Sequence, residues 1–156
     1  MGEAFELGLY TFGDLTPDVQ SGKAIAAQQR LAEILAAAKL ADASGLDVFA
    51  VGEHHRLDMA VSATAVVLAA IASTTERIRL ASAVTILSTA DPVTVFEDFS
   101  TVDLISGGRA EIIAGRGIFT DDIAGIGRVD VARAGFADPL AVNQILAEQG
   151  HVAVSL

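Results

Sequence analysis

A chain of 156 residues, 52% of them hydrophobic, is long enough for one domain with a substantial core and too short for two ordinary ones. Its formal net charge of −10 argues against sequence-independent binding to nucleic acid or anionic lipid, which needs clustered Lys and Arg, and leaves a small-molecule substrate unrestricted. The absence of cysteine excludes disulfides, thiolate metal sites and a Cys nucleophile. The acidic start, Met1 to Glu6, lacks the pattern of a secretory signal, and the longest apolar stretch, Ala65 to Ala72, is too short to span a bilayer. A soluble, cytoplasmic protein is the expectation.

In chain order, "FELGLYTFG" (5 to 13) is a short β-prone run ending at Gly13-Asp14, followed by a polar loop with Pro17. The segment 23 to 45 places Leu31, Ile34, Leu35 and Ala38 at the spacing of one helical stripe, with Gly45 as its stop. "LDVFAVG" (46 to 52) is a nearly continuous apolar run, the pattern of a strand covered on both faces. A second helix fits 63 to 76, with Val66, Val67, Ala70 and Ile71 as its apolar set. "IRLASAVTILS" (78 to 88) reads as the third strand. Asp91 as cap and Pro92 in the first turn then start a helix that runs to about Ile105. After Ser106-Gly107-Gly108, "RAEIIAG" (109 to 115) is a fourth strand.

Strands alternating with helices over short connections imply parallel pairing with right-handed crossovers, hence an α/β protein. A doubly wound sheet and part of a (βα)₈ barrel both satisfy this pattern. Beyond Gly117 the regularity fails: a weak strand signal at 128 to 132 precedes a clean helix signal from Asp138 to Gly150, and "HVAVSL" reads as a terminal strand.

Chemistry concentrates in "AVGEHHRLD" (50 to 58), which carries Glu53, His54 and His55 directly after the second strand. Consecutive residues on a strand point to opposite faces, so this spacing does not give metal-ligand geometry, and no metal is expected. Carboxyl ends of parallel strands are where ligands and catalytic groups gather, and a histidine there is suited to acid/base work near neutral pH. The competing reading is that these groups satisfy loop backbone. Gly115-Arg116-Gly117 ends a strand at the same edge, where Arg suits a phosphate and the glycines allow close approach, or where Arg makes only a surface ion pair. No Gly-x-Gly-x-x-Gly, P-loop or Gly-x-Ser-x-Gly motif is present, and Asp121-Asp122 reads as a solvated turn.

"FAVGEHHRLD" followed by "TERIRLASAVTILSTADPVTVFEDFSTVDLISGGRAEIIAGRG" resembles the N-terminal half of the bacterial luciferase-like flavin monooxygenases, continuously from about Phe5 to Thr120. The resemblance implies a TIM barrel, here incomplete, with about four to five parallel strands. It divides the single domain into four βα units (1 to 120) and a remnant of the last unit (121 to 156). Catalysis falls on His54, with His55 as its neighbour. Cofactor binding falls on Glu53, on Ala83 and Val84, which a non-proline cis peptide is expected to join beside the flavin ring, and on Gly115 and Arg116. By the same resemblance, reduced FMN from a separate flavin reductase would react with oxygen to oxidise an organic substrate. The alternatives are a non-catalytic flavin-binding or degenerate half-barrel and an F420-dependent oxidoreductase relative. A full barrel typically takes about 250 residues, so an open half-barrel is expected to pair with a second copy as a homodimer.

Overall fold

The structure, a computed structural model, describes residues 5–115. Within them the order is β1 (Gly8–Thr11), α1 (Ala27–Ala43), β2 (Val48–Val51), α2 (Thr64–Ala72), β3 (Arg79–Ile86), α3 (Pro92–Ser106) and β4 (Ala110–Gly115). The strands form one parallel sheet in the order β1-β2-β3-β4, so every helix is a crossover between adjacent strands. That is the expected α/β architecture, three consecutive βα steps and a fourth strand, as in part of a barrel wall. The expected strand at 128 to 132, the helix at 138 to 150 and the terminal "HVAVSL" strand lie outside the described residues, as do Arg116 and Gly117.

Local chemistry explains the element limits. In α3 the Asp91 carboxylate accepts the Thr94 N–H at 3.0 Å, Pro92 occupies the first turn, and Gly107 closes the helix at φ 73°. Helix α1 begins at Ala27 rather than at Lys23, because Asp18 organises a turn ahead of it. The Asp18 carboxylate accepts the N–H groups of Gln20 and Ser21, and its carbonyl accepts that of Gly22.

One face of the sheet meets the helices. In register across the strands, Phe49 and Leu80, then Val51 and Ile112, join Ile34, Ala38 and Ala41 of α1, Leu68 and Ile71 of α2, and Val95, Phe99 and Val102 of α3 in the core. The stripe in α2 differs from the expected one: Val66 is 69% exposed, while Leu68, Ile71 and Ala72 are buried. An unbroken apolar helix carries no polar face from which to read its orientation. The opposite face carries Tyr10, Ala50, Ala81 and Glu111 in one register row, and there β1 is open, with Tyr10 67% exposed.

Two polar clamps hold the end of the sheet remote from the histidines. Buried Asp42 accepts the backbone N–H groups of Glu76, Arg77 and Ile78 at 2.8 to 3.0 Å. Arg109 donates to the carbonyls of Ala72, Thr75, Ile78 and Ser106 and to the Thr75 hydroxyl, tying α2, β3 and α3 together. Each clamp satisfies turn backbone that would otherwise be left unpaired.

Candidate active site

Strand ends β1 to β4 bring together residues far apart in sequence. Gly52, just past β2, is packed so closely that a Cβ there would lie 2.7 Å from the Phe12 ring, 3.1 Å from His54 Cε1 and 3.2 Å from the Ala83 carbonyl oxygen. A Cβ on Gly115, at the end of β4, would run into the side chain of Val84. These contacts join the ends of all four strands, and glycine is what the close approach requires.

The loop after β2 folds onto the loop after β1. Leu15 N–H donates to the Asp58 carbonyl at 2.8 Å, Ala60 N–H to the Gly13 carbonyl at 2.7 Å, and His54 N–H to the Val61 carbonyl at 2.9 Å. Gly13, at φ 70°, packs against Val61 where a Cβ would come within 2.8 Å of it. The histidine segment is therefore fixed by backbone on both sides.

Within that frame the two histidines have different surroundings. His54 presents its ring to Phe12, centroids 5.1 Å apart and planes at 71°, and Phe12 in turn lies 5.2 Å from Tyr10. Its Nδ1 is buried without a hydrogen-bond partner among the described residues. Buried polar atoms are almost always paired, so a bound molecule or a group outside the described residues would complete it. The His55 ring instead turns to Glu53, with Nε2 2.8 Å from Oε1, while Glu53 Oε2 accepts the Ile86 N–H at 3.1 Å.

The Ala83–Val84 peptide is cis, at the place the resemblance implied, and the β3–β4 register shifts between Ala83 and Thr85 before Ile86 pairs with Gly115. Of the expected site residues, Glu53, His54, His55, Ala83, Val84 and Gly115 thus stand at one edge of the sheet; Arg116 lies outside the described residues. Phe12, with Tyr10 behind it, is a neighbour of His54 that the sequence reading does not single out. An aromatic pair at alternate positions of a strand's last residues was the signal. Behind Glu53, a cleft of about 310 Å³ opens between the starts of α2 and α3, lined by Thr64, Thr85, Asp91, Thr94 and Asp98. No group of three or more His, Asp and Glu among the described residues is placed to hold a metal ion.

The model of the luciferase-like monooxygenase family matches residues 6–153. The chain belongs to this family. Monooxygenase RslO1 from Streptomyces bottropensis shares its fold at a TM-score of 0.72 and 26% identity, over 91% of this chain and 43% of that one. The oxygenating constituent of 3,6-diketocamphane monooxygenase from Pseudomonas putida, solved in complex with FMN, aligns at a TM-score of 0.68 and 21% identity, over 93% of this chain and 37% of that one. An F420-dependent secondary alcohol dehydrogenase aligns at 0.60 and 19%, over 90% of this chain and 41% of that one. The likeness of the last two is one of fold. This luciferase-like chain spans less than half the length of each of the three.

Among the described residues of this luciferase-like chain, no helix is long and apolar enough to cross a membrane. One feature of these strand ends suits a flavin-type cofactor: the buried Nδ1 of His54 has no partner among the described residues and could meet a polar atom of a bound group. The glycines at Gly52 and Gly115 serve the packing of the strand ends on Phe12, Ala83 and Val84.

Proposed function

We propose that this chain is the strand-one to strand-four part of a flavin-dependent, luciferase-like monooxygenase, taking reduced FMN from a separate flavin reductase and acting with oxygen on a small organic substrate. The observation that supports this most is the meeting of His54, Ala83-Val84 and Gly115 at one sheet edge in a member of that family. Reduced flavin supplies the electrons for oxygen activation. The Ala83–Thr85 segment and Gly115 support the ring system. His54 moves a proton at its imidazole, held in place by Phe12 and by its backbone bond to Val61. Arg116 offers positive charge to phosphate or to the anionic flavin, and packing around the site keeps water from the reactive species. On this reading the protein is cytoplasmic, residues 121 to 156 contribute the last βα unit, and two copies cover each other's open sheet faces. Rapid mixing of the protein and reduced FMN with oxygen tests the proposal. Flavin reoxidation is expected to be at least about tenfold slower than for free reduced FMN, as a water-excluded site would impose. Reoxidation at the free rate contradicts it.

A second reading is supported by the chain's span of less than half the length of RslO1 and by the open face of the sheet at β1, where Tyr10 and Phe12 are 67% and 43% exposed. On this reading the chain binds flavin, or associates, without turnover. F420 in place of FMN is the third reading, which cofactor titration separates from the first.

A further inference from the structure

We propose that Glu53 is a positioning residue of this site, with one carboxylate fixing both the proton of His55 at Nε2 and the end of β3 at Ile86. The effect on cofactor binding rests on the flavin reading above. The geometry of the carboxylate stands apart from it.

Both oxygens of Glu53 are engaged, one 2.8 Å from His55 Nε2 and the other 3.1 Å from the Ile86 nitrogen. The Glu53 side chain is only 11% exposed and that of His55 23%, so water does not compete freely for either bond. An ionised carboxylate can only accept. The hydrogen between Glu53 and His55 therefore sits on Nε2, and in the neutral ring Nδ1 is the acceptor. Ile86 lies two residues beyond Val84 and pairs with Gly115. One side chain on the β2 loop thus ties together His55, the strand-three wall and, through the Ile86–Gly115 pairing, the end of β4. His54 stands between Glu53 and His55 in the chain, with its own backbone anchor at Val61. His55 is engaged with Glu53, whereas the His54 ring faces Phe12, so the two adjacent histidines have different partners.

Substitution by glutamine gives a test that a purely structural role does not meet. Glu53→Gln keeps the shape of the side chain, but its amide has one accepting end and one donating end. With the oxygen on the Ile86 N–H, the NH₂ faces His55 Nε2, which must then accept, and the ring proton moves to Nδ1. Two-bond ¹H–¹⁵N spectra of the full chain labelled at histidine, taken where His55 is neutral, read this directly. Expected are Nε2–H in the wild type and Nδ1–H in Glu53→Gln. Amide exchange at Ile86 should stay near the wild-type rate in Glu53→Gln and rise about tenfold or more in Glu53→Ala, which removes the acceptor. FMN affinity should follow Ile86, nearly kept in Glu53→Gln and about tenfold weaker in Glu53→Ala.

An Nδ1–H tautomer in the wild type, an unchanged tautomer in Glu53→Gln, or wild-type Ile86 exchange in Glu53→Ala each overturns the proposal. Wild-type FMN affinity in Glu53→Ala overturns the positioning role. If the wild type binds neither FMN nor F420, the flavin reading falls, and the tautomer and exchange results decide the role of Glu53 by themselves.

Discussion

The ring of Phe12 meets the ring of His54 edge-on at 5.1 Å, joining the end of β1 to the first turn of the β2 loop. Phe12 is the last large side chain of its strand region and is 43% exposed, so the contact orders the histidine more than it contributes to the core. Phe12→Ala is expected to cost about 1 to 3 kcal/mol, the sum of the aromatic pair and the partly buried ring. The same variant should lower turnover through a less ordered His54. Chemical denaturation beside single-turnover kinetics checks both.

His54→Ala should lower the chemical step about 10²-fold or more, the lower range for a positioned acid or base, with flavin affinity little changed. Stopped-flow turnover and a binding titration on the same sample separate the two effects. An unchanged rate removes His54 from the mechanism.

Gly52→Ala places a methyl 2.7 Å from the Phe12 ring and 3.2 Å from the Ala83 carbonyl oxygen. Phe12 can rotate away, but the Ala83 backbone cannot move without displacing β3. A loss of about 1 to 3 kcal/mol is expected, the range for overpacking, together with weaker cofactor binding. Urea unfolding measures the first. A variant as stable as the wild type would show that the ends of β1, β2 and β3 are not packed against one another in solution.

Burial pushes the Asp42 carboxyl up, yet the N–H groups of Glu76, Ile78 and Arg77 and the charge of Arg77 together outweigh it and hold it below its ordinary 3.8. A carboxyl lowered in the folded state contributes stability that is fully present above its unfolded value and is lost as pH falls through the folded one. Asp42 therefore stabilises the fold across neutral pH, and that contribution disappears below the ordinary carboxylate range. Asp42→Ala is expected to cost about 3 kcal/mol at pH 7, since it leaves turn N–H groups without acceptors, and to flatten the acid limb of the stability profile. Thermal melts from acid to neutral pH check both the size and the slope.

Much of the fold was legible because its punctuation is local. Asp91-Pro92 and Gly107 mark the ends of α3 by hydrogen bonding and backbone conformation that depend on no other part of the chain. Orientation of α2 was not, since Leu68 and Val66 are equally apolar and only the sheet decides which of them it covers. The site divides in the same way. Glu53, His54 and His55 are visible as a run, whereas their separate roles depend on Ile86 and Phe12, which no spacing connects to them. Asp42 did carry a signal of its own, because a carboxylate in the last turn of a helix opposes the macrodipole and needs a tertiary partner to be tolerated there.

The proposed flavin site at the four strand ends is tested most directly by titrating FMN, oxidised and reduced, against the wild type and against Gly115→Val, with F420 run in parallel. Gly115→Val drives a branched side chain into Val84 at the floor of the site while leaving Glu53, His54 and His55 in place. Saturable quenching of flavin fluorescence by the wild type, weakened about tenfold or more in Gly115→Val, is the predicted result, as expected when overpacking costs 1 to 3 kcal/mol at a binding surface. Equal affinity in both proteins, or no binding of either cofactor by the wild type, would contradict it.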